Sequence, residues 1–171
     1  MNSTEGPCIC KGDINNDGKE DVFIGGAYGY PGILFIQQSK GKFKKIELNV
    51  FQKDKNSEDV DCKFFYANDD GFLDLYVASG GSEFSEFSTA LADRLYINSG
   101  NNNFIKTDKI FPNDMFESSS VVEVSDFDND GDYDLFVGIR LIPQNYGLSA
   151  SSYILKKIGR ASCRERVSTS V

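Results

Sequence analysis

Two stretches of the chain carry oxygen-bearing side chains at every second position, followed by a glycine. Asp13–Gly26 reads DINNDGKEDVFIGG, and Asp126–Gly138 reads DFDNDGDYDLFVG. Calcium takes about six to eight oxygen ligands. Side chains at loop positions 1, 3, 5 and 9 can converge on one ion if the chain coils tightly. A glycine at position 6 permits the sharp turn, and the carbonyl at position 7 adds an oxygen. The pattern therefore predicts two calcium sites.

The predicted ligands are side-chain oxygens together with one backbone carbonyl in each loop. In the first loop they are Asp13, Asn15, Asp17, Asp21 and the Lys19 carbonyl. In the third loop they are Asp126, Asp128, Asp130, Asp134 and the Asp132 carbonyl. Carboxylates held this close repel one another without a cation, so we expect folding and calcium binding to be coupled. The alternative is that each loop is a solvated turn rich in Asx residues.

A middle loop, YANDDGFLDLYVASG over Tyr66–Gly80, departs from this pattern. Tyr66 stands at position 1 and supplies no carboxylate. Asn68, Asp70 and Asp74 remain as ligands, and Asp69 is expected to point away. The carboxylate count predicts that the third loop binds calcium most tightly, then the first, and that the second binds it weakly or not at all.

The residues after each loop exclude a helical calcium motif. An EF-hand needs a bidentate Glu at position 12 and a helix on each side, and dockerin-like modules need a helix and an acid there as well. Position 12 is Ile24 in the first loop and Val137 in the third, each within an apolar, β-type run. A calcium loop inside a β-hairpin is what remains.

The loops are part of a longer internal repeat. Gly18, Gly71 and Gly131 are 53 and 60 residues apart, and Leu34–Ile36 recurs as Leu95–Ile97 and begins again at Tyr153. Short β-branched and aromatic runs separated by Gly, Asn and Ser predict four strands in each repeat. Four antiparallel strands repeated every 50–60 residues are typical of propeller blades. We therefore predict an all-β fold, a partial β-propeller of about two and a half to three four-stranded antiparallel blades. The alternative is a sandwich of unrelated hairpins.

The loops followed by DVFIGG, DLYVASGG and DLFVG resemble FG-GAP/VCBS repeats, the propeller repeats of integrin α-subunit heads. The stretches DRLYINSG and GIRLIPQNYGLSASSYIL are similar to bacterial VCBS proteins related to the UnbV/ASPIC group. The resemblance covers residues 8–156, with blades at about 8–50, 60–108 and 119–156. It implies calcium bound between the first two strands of a blade. It also implies an exported protein, at the cell surface or in the periplasm, with an unknown protein or glycan as partner.

The net charge and the lack of histidine argue against some classes of function. The net charge is −8 and the chain has no His. An acidic surface argues against nucleic acid as a partner, and the lack of His removes the commonest general base. The sequence shows neither an apolar run of transmembrane length nor a secretory leader.

A non-catalytic binding module is the leading prediction. Its candidate surfaces are the long connections Ser79–Arg94, with Phe84 and Phe87, and Arg140–Ser151. The alternative is the propeller part of a larger extracellular enzyme, such as a polysaccharide-degrading hydrolase or lyase. Glu83, Glu86 and Asp93 are the clustered acids outside the loops that such chemistry would use.

The last segment, 157–171, has no hydrophobic period and turns abruptly basic. Its IGRASCRERV stretch resembles the conceptual translation of a sequencing adapter. We expect this tail to be disordered and the natural chain to continue beyond the sequence given. The spacing of Cys8, Cys10, Cys62 and Cys163 matches no zinc or redox motif. The first two are expected on the same side of a strand, as small buried apolar residues.

Overall fold

The chain folds into three antiparallel sheets of four strands each. A computed structural model describes residues 7–82, 84–85, 88–107, 116–143, 150–157 and 163–168. Within them, each sheet is formed by four strands that are consecutive in the sequence and paired in chain order. This confirms the predicted all-β fold with four strands per repeat, and three successive meanders of this kind are consistent with a partial β-propeller.

The first sheet contains β1 Ile9–Gly12, β2 Asp21–Ile24, β3 Ile33–Ser39 and β4 Lys42–Ile46. The second contains β5 Glu58–Phe65, β6 Asp74–Gly80, β7 Arg94–Asn98 and β8 Phe104–Thr107. The third contains β9 Ser118–Ser125, β10 Asp134–Leu141, β11 Tyr153–Lys157 and β12 Cys163–Ser168. In each sheet the acidic loop connects the first strand to the second, which is where a calcium loop within a hairpin was expected.

The second sheet is buried on both faces. Along β6, Leu75 and Val77 belong to the apolar cluster shared with the first sheet, and Tyr76 and Ala78 belong to the cluster shared with the third sheet. Successive side chains of a strand point to opposite faces, so this alternation places one sheet between the other two. Stacking of this kind explains why the run DLYVASG is apolar without alternation.

A short helix, not predicted from the sequence, fills the gap between the first two sheets. α1 spans Asn49–Lys53, and its one buried residue is Phe51. The ring of Phe51 packs against Phe23 of β2, Tyr96 of β7 and Phe104 of β8, with centroid distances of 5.3, 4.9 and 6.0 Å. A 3₁₀ helix, Thr89–Leu91, interrupts the long connection between β6 and β7 and buries Leu91.

The expectation of a disordered tail is wrong for its described part. Lys157 is the last residue of β11 and is buried, and β12 pairs antiparallel with β11. The physical reason is that β11 leaves a row of backbone amides and carbonyls at the edge of the sheet, which another strand can pair with. Residues 158–162 and 169–171 lie outside the described residues, and the adapter origin of the segment stays a prediction.

No helix among the described residues is long and apolar enough to span a membrane. This agrees with the absence of such a run in the sequence.

A buried carboxylate, Asp93, joins the second and third sheets. Its Oδ2 accepts hydrogen bonds from the Tyr76 hydroxyl at 2.7 Å and the Ser119 hydroxyl at 2.9 Å, and its Oδ1 accepts from the Ser79 amide at 2.7 Å. Burial raises the pKa of Asp93 to about 6, although these donors and the charge of Arg94 act in the opposite direction. The folded chain therefore favours the protonated carboxyl more than the unfolded chain does.

This pKa predicts a pH dependence of stability. The contribution of Asp93 should be fully present below about pH 4 and lost as the pH rises through about 6, because the folded pKa lies above the ordinary 3.8. Relative to Asp93→Asn, the unfolding free energy of the unmodified chain should fall by up to about 3 kcal/mol between pH 4 and 7. Urea denaturation across this range measures it, with Glu47→Gln as an exposed control. Parallel stability curves for the unmodified chain and Asp93→Asn would contradict the prediction.

Candidate metal centre

The third acidic loop brings three carboxylates together. One oxygen from each of Asp126, Asp128 and Asp130 lies within 4.8 Å of the other two. Asp126 is half-buried, and the other two side chains are exposed. These are the residues at positions 1, 3 and 5 of the predicted loop. A set of hard carboxylate oxygens open to solvent on one side suits calcium, which also accepts water ligands.

The loop backbone is held in this shape by its first aspartate. Asp126 Oδ1 accepts from the Asp130 amide at 3.1 Å, and Oδ2 accepts from the Gly131 amide at 3.0 Å. The turn requires positive φ at Asn129 (60°) and Gly131 (92°). Asn and Gly are the residues that adopt this conformation most readily, which explains the NDG sequence.

The first loop has the same conformation. Asp13 accepts from the Asp17 amide at 3.0 Å and from the Gly18 amide at 2.7 Å, and φ is positive at Asn16 (59°) and Gly18 (80°). Asn15 Oδ1 accepts from the Asp17 amide at 3.1 Å. The first loop therefore repeats the arrangement of the third, with an amide oxygen in place of one carboxylate.

The aspartates at position 9 do something that the sequence did not reveal. Asp21, Asp74 and Asp134 are each almost completely buried, and both oxygens of each accept hydrogen bonds from backbone amides. One amide belongs to the second residue of the loop, and the other lies at or near the end of the third strand. For Asp134 these are Phe127 at 3.3 Å and Lys157 at 3.0 Å. Asp134 is outside the group formed by the other three carboxylates.

Burial shifts the protonation of two of these aspartates. It raises the pKa of Asp21, and it raises the pKa of Asp74 to about 6, while the backbone amides that bind each carboxylate oppose the shift. Each carboxylate therefore stays in place mainly because two amides donate to it. Through these hydrogen bonds each aspartate connects its loop to the third strand of the same sheet.

Lysines lie against the carboxylates at the exposed side of the loops. Lys19 Nζ contacts Asp17 at 2.9 Å, and Lys156 Nζ contacts Asp128 at 2.9 Å. Hydrogen bonding to these lysines lowers the pKa of both aspartates. Lys19 was predicted to contribute its carbonyl, and its amide donates to Asp17 Oδ1 at 3.0 Å. A cation entering either loop would compete with an ammonium group.

The second loop is bridged to the third by Lys157. The Lys157 ammonium group binds both oxygens of Asp69 at 2.6 Å and Asp132 Oδ1 at 3.0 Å. Burial would lower the pKa of Lys157, but the two carboxylates outweigh it and raise that pKa. Asp69 thus turns toward the neighbouring sheet, and Asp132, predicted to supply a carbonyl, uses its carboxylate in this bridge.

The remaining side chains of the second loop bind one another. Asn68 Nδ2 donates to Asp70 Oδ2 at 2.9 Å, and the Asp70 amide donates to Asn68 Oδ1 at 3.1 Å. Tyr66 at position 1 is exposed. This loop therefore offers a smaller set of oxygens than the other two, and the predicted order of calcium affinity stays a prediction.

The acids considered for hydrolysis do not form a described pair. Asp93 is buried among Tyr76, Ser79 and Ser119, as described above. Glu83 and Glu86 lie outside the described residues, as does Phe87 of the same connection.

The two roles of aspartate predict different effects on stability. Asp134→Ala should lower the free energy of unfolding by about 2–4 kcal/mol in a chelating buffer, because two amides lose their acceptor. Asp128→Ala should lower it much less, since its main loss is a solvent-screened ion pair with Lys156. Guanidinium denaturation with EDTA present measures both. Equal losses for the two variants would contradict the tying role of Asp134.

Comparison with known proteins agrees with the repeat. No curated protein matches this chain. Residues 66–137 match the family model described as FG-GAP-like repeat. The matched span begins in the second acidic loop and ends in β10, beyond the third loop, so it covers one full period of the repeat. Residues 66–137 are therefore similar to FG-GAP-like repeats, and the three four-stranded sheets of the described residues are consistent with a partial β-propeller.

Proposed function

We propose that this chain is a calcium-binding, non-catalytic propeller module of an exported protein, and that it binds a protein or glycan partner. The observation that supports the metal most directly is the group formed by Asp126, Asp128 and Asp130, whose oxygens lie within 4.8 Å of one another. The same backbone turn in the first loop supports a second site.

The third loop is the tighter of the two proposed sites. It places three carboxylates where the first loop places Asp13, Asn15 and Asp17, and calcium affinity rises with the number of charged ligands. Calcium must displace Lys156 from Asp128 and Lys19 from Asp17. Both ion pairs are screened by solvent and so contribute little, and a divalent cation bound by several oxygens outweighs them.

The proposed partner surface contains exposed aromatic rings. Tyr28 and Tyr30 lie in the connection from β2 to β3, and their exposed fractions are 59% and 72%. Phe84, in the connection from β6 to β7, packs against Tyr28 with a centroid distance of 5.7 Å. Exposed tyrosines offer an apolar face and a hydroxyl, a combination enriched in binding surfaces. These connections lie at the ends of β2 and β6, opposite the acidic loops. The export of the protein is proposed from its similarity to FG-GAP-like repeats, and calcium is plentiful outside cells.

Calorimetric titration with calcium tests the metal proposal. We expect two binding events, and Asp130→Ala should remove the tighter one, because it deletes a carboxylate from the three-acid group. Asp17→Ala should remove the weaker event in the same way. Glu47→Ala is the matched control, since it removes one exposed acidic charge outside the loops. A chain that releases no heat with calcium, or an Asp130→Ala variant that keeps both events, would contradict the proposal.

A glycan array tests the partner surface. We expect Tyr30→Ala to lose most of the signal for any glycan that the unmodified chain binds, because aromatic rings stack on sugar rings. Tyr133→Ala is the matched control, since Tyr133 is similarly exposed (50%) but lies in the third acidic loop. Unchanged binding by Tyr30→Ala would argue against this surface, and an array without signal would favour a protein partner.

A further inference from the structure

Three cysteines meet in the contact between the first and second sheets. Cys8 and Cys62 are buried members of the apolar cluster between these sheets, and Cys10 packs against that cluster while partly buried. Cys10 lies in β1, Cys8 is the residue immediately before β1, and Cys62 lies in β5. All three are free thiols. The cluster is separate from the acidic loops and from the aromatic surface, so neither proposed function uses it.

The backbone around Cys8 is fixed against β5. The Cys8 amide donates to the Asp59 carbonyl at 3.0 Å, and the Cys8 carbonyl accepts from the Gly25 amide at 2.9 Å. A Cβ placed on Gly25 would approach Cys8 Sγ to 2.6 Å, so the sulfur lies directly against the glycine backbone. These contacts hold Cys8 at the interface with β5, the strand that carries Cys62.

Each of the two thiols influences the pKa of the other. Hydrogen bonding with the Cys62 thiol, followed by burial, raises the pKa of Cys8 well above its ordinary value. The pKa of Cys62 is also raised, chiefly by hydrogen bonding with Cys10 and by burial, while Cys8 acts in the opposite direction. The Cys62 thiol is therefore in reach of both thiols of the first sheet. Cys8 and Cys62 are both buried members of the apolar cluster, whereas Cys10 is only partly buried beside it, so we take Cys8 as the partner of Cys62.

We propose that Cys8 and Cys62 form a disulfide that links the first sheet to the second. The two residues are 54 positions apart in the sequence, so the bond closes a long loop of the unfolded chain. Closing a long loop restricts the unfolded ensemble and favours the folded state. Neither cysteine belongs to an acidic loop, so this link does not depend on calcium.

The chemistry is thiol–disulfide exchange with a small-molecule disulfide such as oxidised glutathione. The Cys62 thiolate attacks one glutathione sulfur, which forms a mixed disulfide and releases one glutathione thiolate. The Cys8 thiolate then attacks the Cys62 sulfur, which forms the protein disulfide and releases the second glutathione. The two protons of the cysteine thiols pass through solvent to the two glutathione thiolates. Both protein thiols are oxidised, and one glutathione disulfide is reduced to two thiols.

Burial decides when the bond forms. The thiolate is the reactive species, and a buried thiol with a raised pKa reacts slowly. We therefore expect the bond to form during folding, before the two sheets have packed together, and to resist reduction afterwards. Oxidation of the already folded chain should be many times slower than oxidation during refolding.

The test uses the full chain with Cys163→Ser, so that a fourth thiol does not enter the count. The chain is unfolded in guanidinium, refolded with oxidised and reduced glutathione, alkylated and mapped after trypsin digestion. Cys8 and Cys10 share a peptide ending at Lys11, and fragmentation across Ile9 separates them. We expect two of three thiols to be lost, a cross-link joining Cys8 to Cys62, and an upward shift of the denaturation midpoint that dithiothreitol reverses.

Matched variants complete the test. Cys10→Ser should keep the cross-link and the midpoint shift, and Cys62→Ser should lose both. The reversal by dithiothreitol is measured on the parent chain, so the test holds even if Cys62→Ser fails to fold. Three thiols that all remain free after oxidative refolding, or a parent chain in which Cys62 is joined to Cys10, would overturn the proposal.

Discussion

The structure depends on one interaction that occurs in each of the three sheets, a buried aspartate whose two oxygens accept from two backbone amides. Asp21, Asp74 and Asp134 each connect the second residue of the acidic loop to the end of the third strand. A buried amide without an acceptor is costly, and each of these carboxylates supplies the acceptor for two amides. The loop is therefore anchored at its base, and the more exposed carboxylates of the first and third loops, Asp17 and Asp128, pair with lysines.

The second constraint is that a four-stranded sheet with two apolar faces needs a neighbour on each side. The middle sheet has both, and each interface also contains buried polar groups. Asp59 of the second sheet accepts from the Gly26 amide, just after β2 of the first sheet, at 2.7 Å, and Asp93 accepts from the Ser119 hydroxyl of the third sheet. Such pairs are satisfied in only one relative position of the sheets, so they favour a single stacking register.

Much of this fold could be predicted from the sequence because the same local pattern of residues occurs three times. The NDG turns, the short β-branched runs and the loop-to-strand order predicted four-stranded sheets correctly, since these features depend on nearby residues. The positions of Asp126, Asp128 and Asp130 followed for the same reason. The tying role of Asp21 and Asp134 did not, because spacing alone does not distinguish a carboxylate that faces an ion from one that faces two amides.

Other features depended on contacts between distant residues. The helix at Asn49–Lys53 is stabilised by the burial of Phe51 between two sheets, and no local sequence pattern predicts it. The order of Lys157 and of β12 follows from the unpaired edge of β11, so a basic, aperiodic sequence gave a misleading expectation of disorder. The sequence did contain a signal that Lys157 is ordered. Lys157 occupies the same position in the third repeat that Asn98 occupies in the second, the last residue of the third strand.

Asn98 and Lys157 each contact the sheet that precedes their own in the chain. The Asn98 side chain donates to the Ile14 carbonyl in the first loop at 2.8 Å, and the Lys157 side chain reaches Asp69 in the second loop. In both cases the end of a third strand grips the acidic loop of the sheet before it. Each acidic loop is therefore held partly by the sheet that follows it in the chain, so losing one sheet would remove a contact from the loop before it.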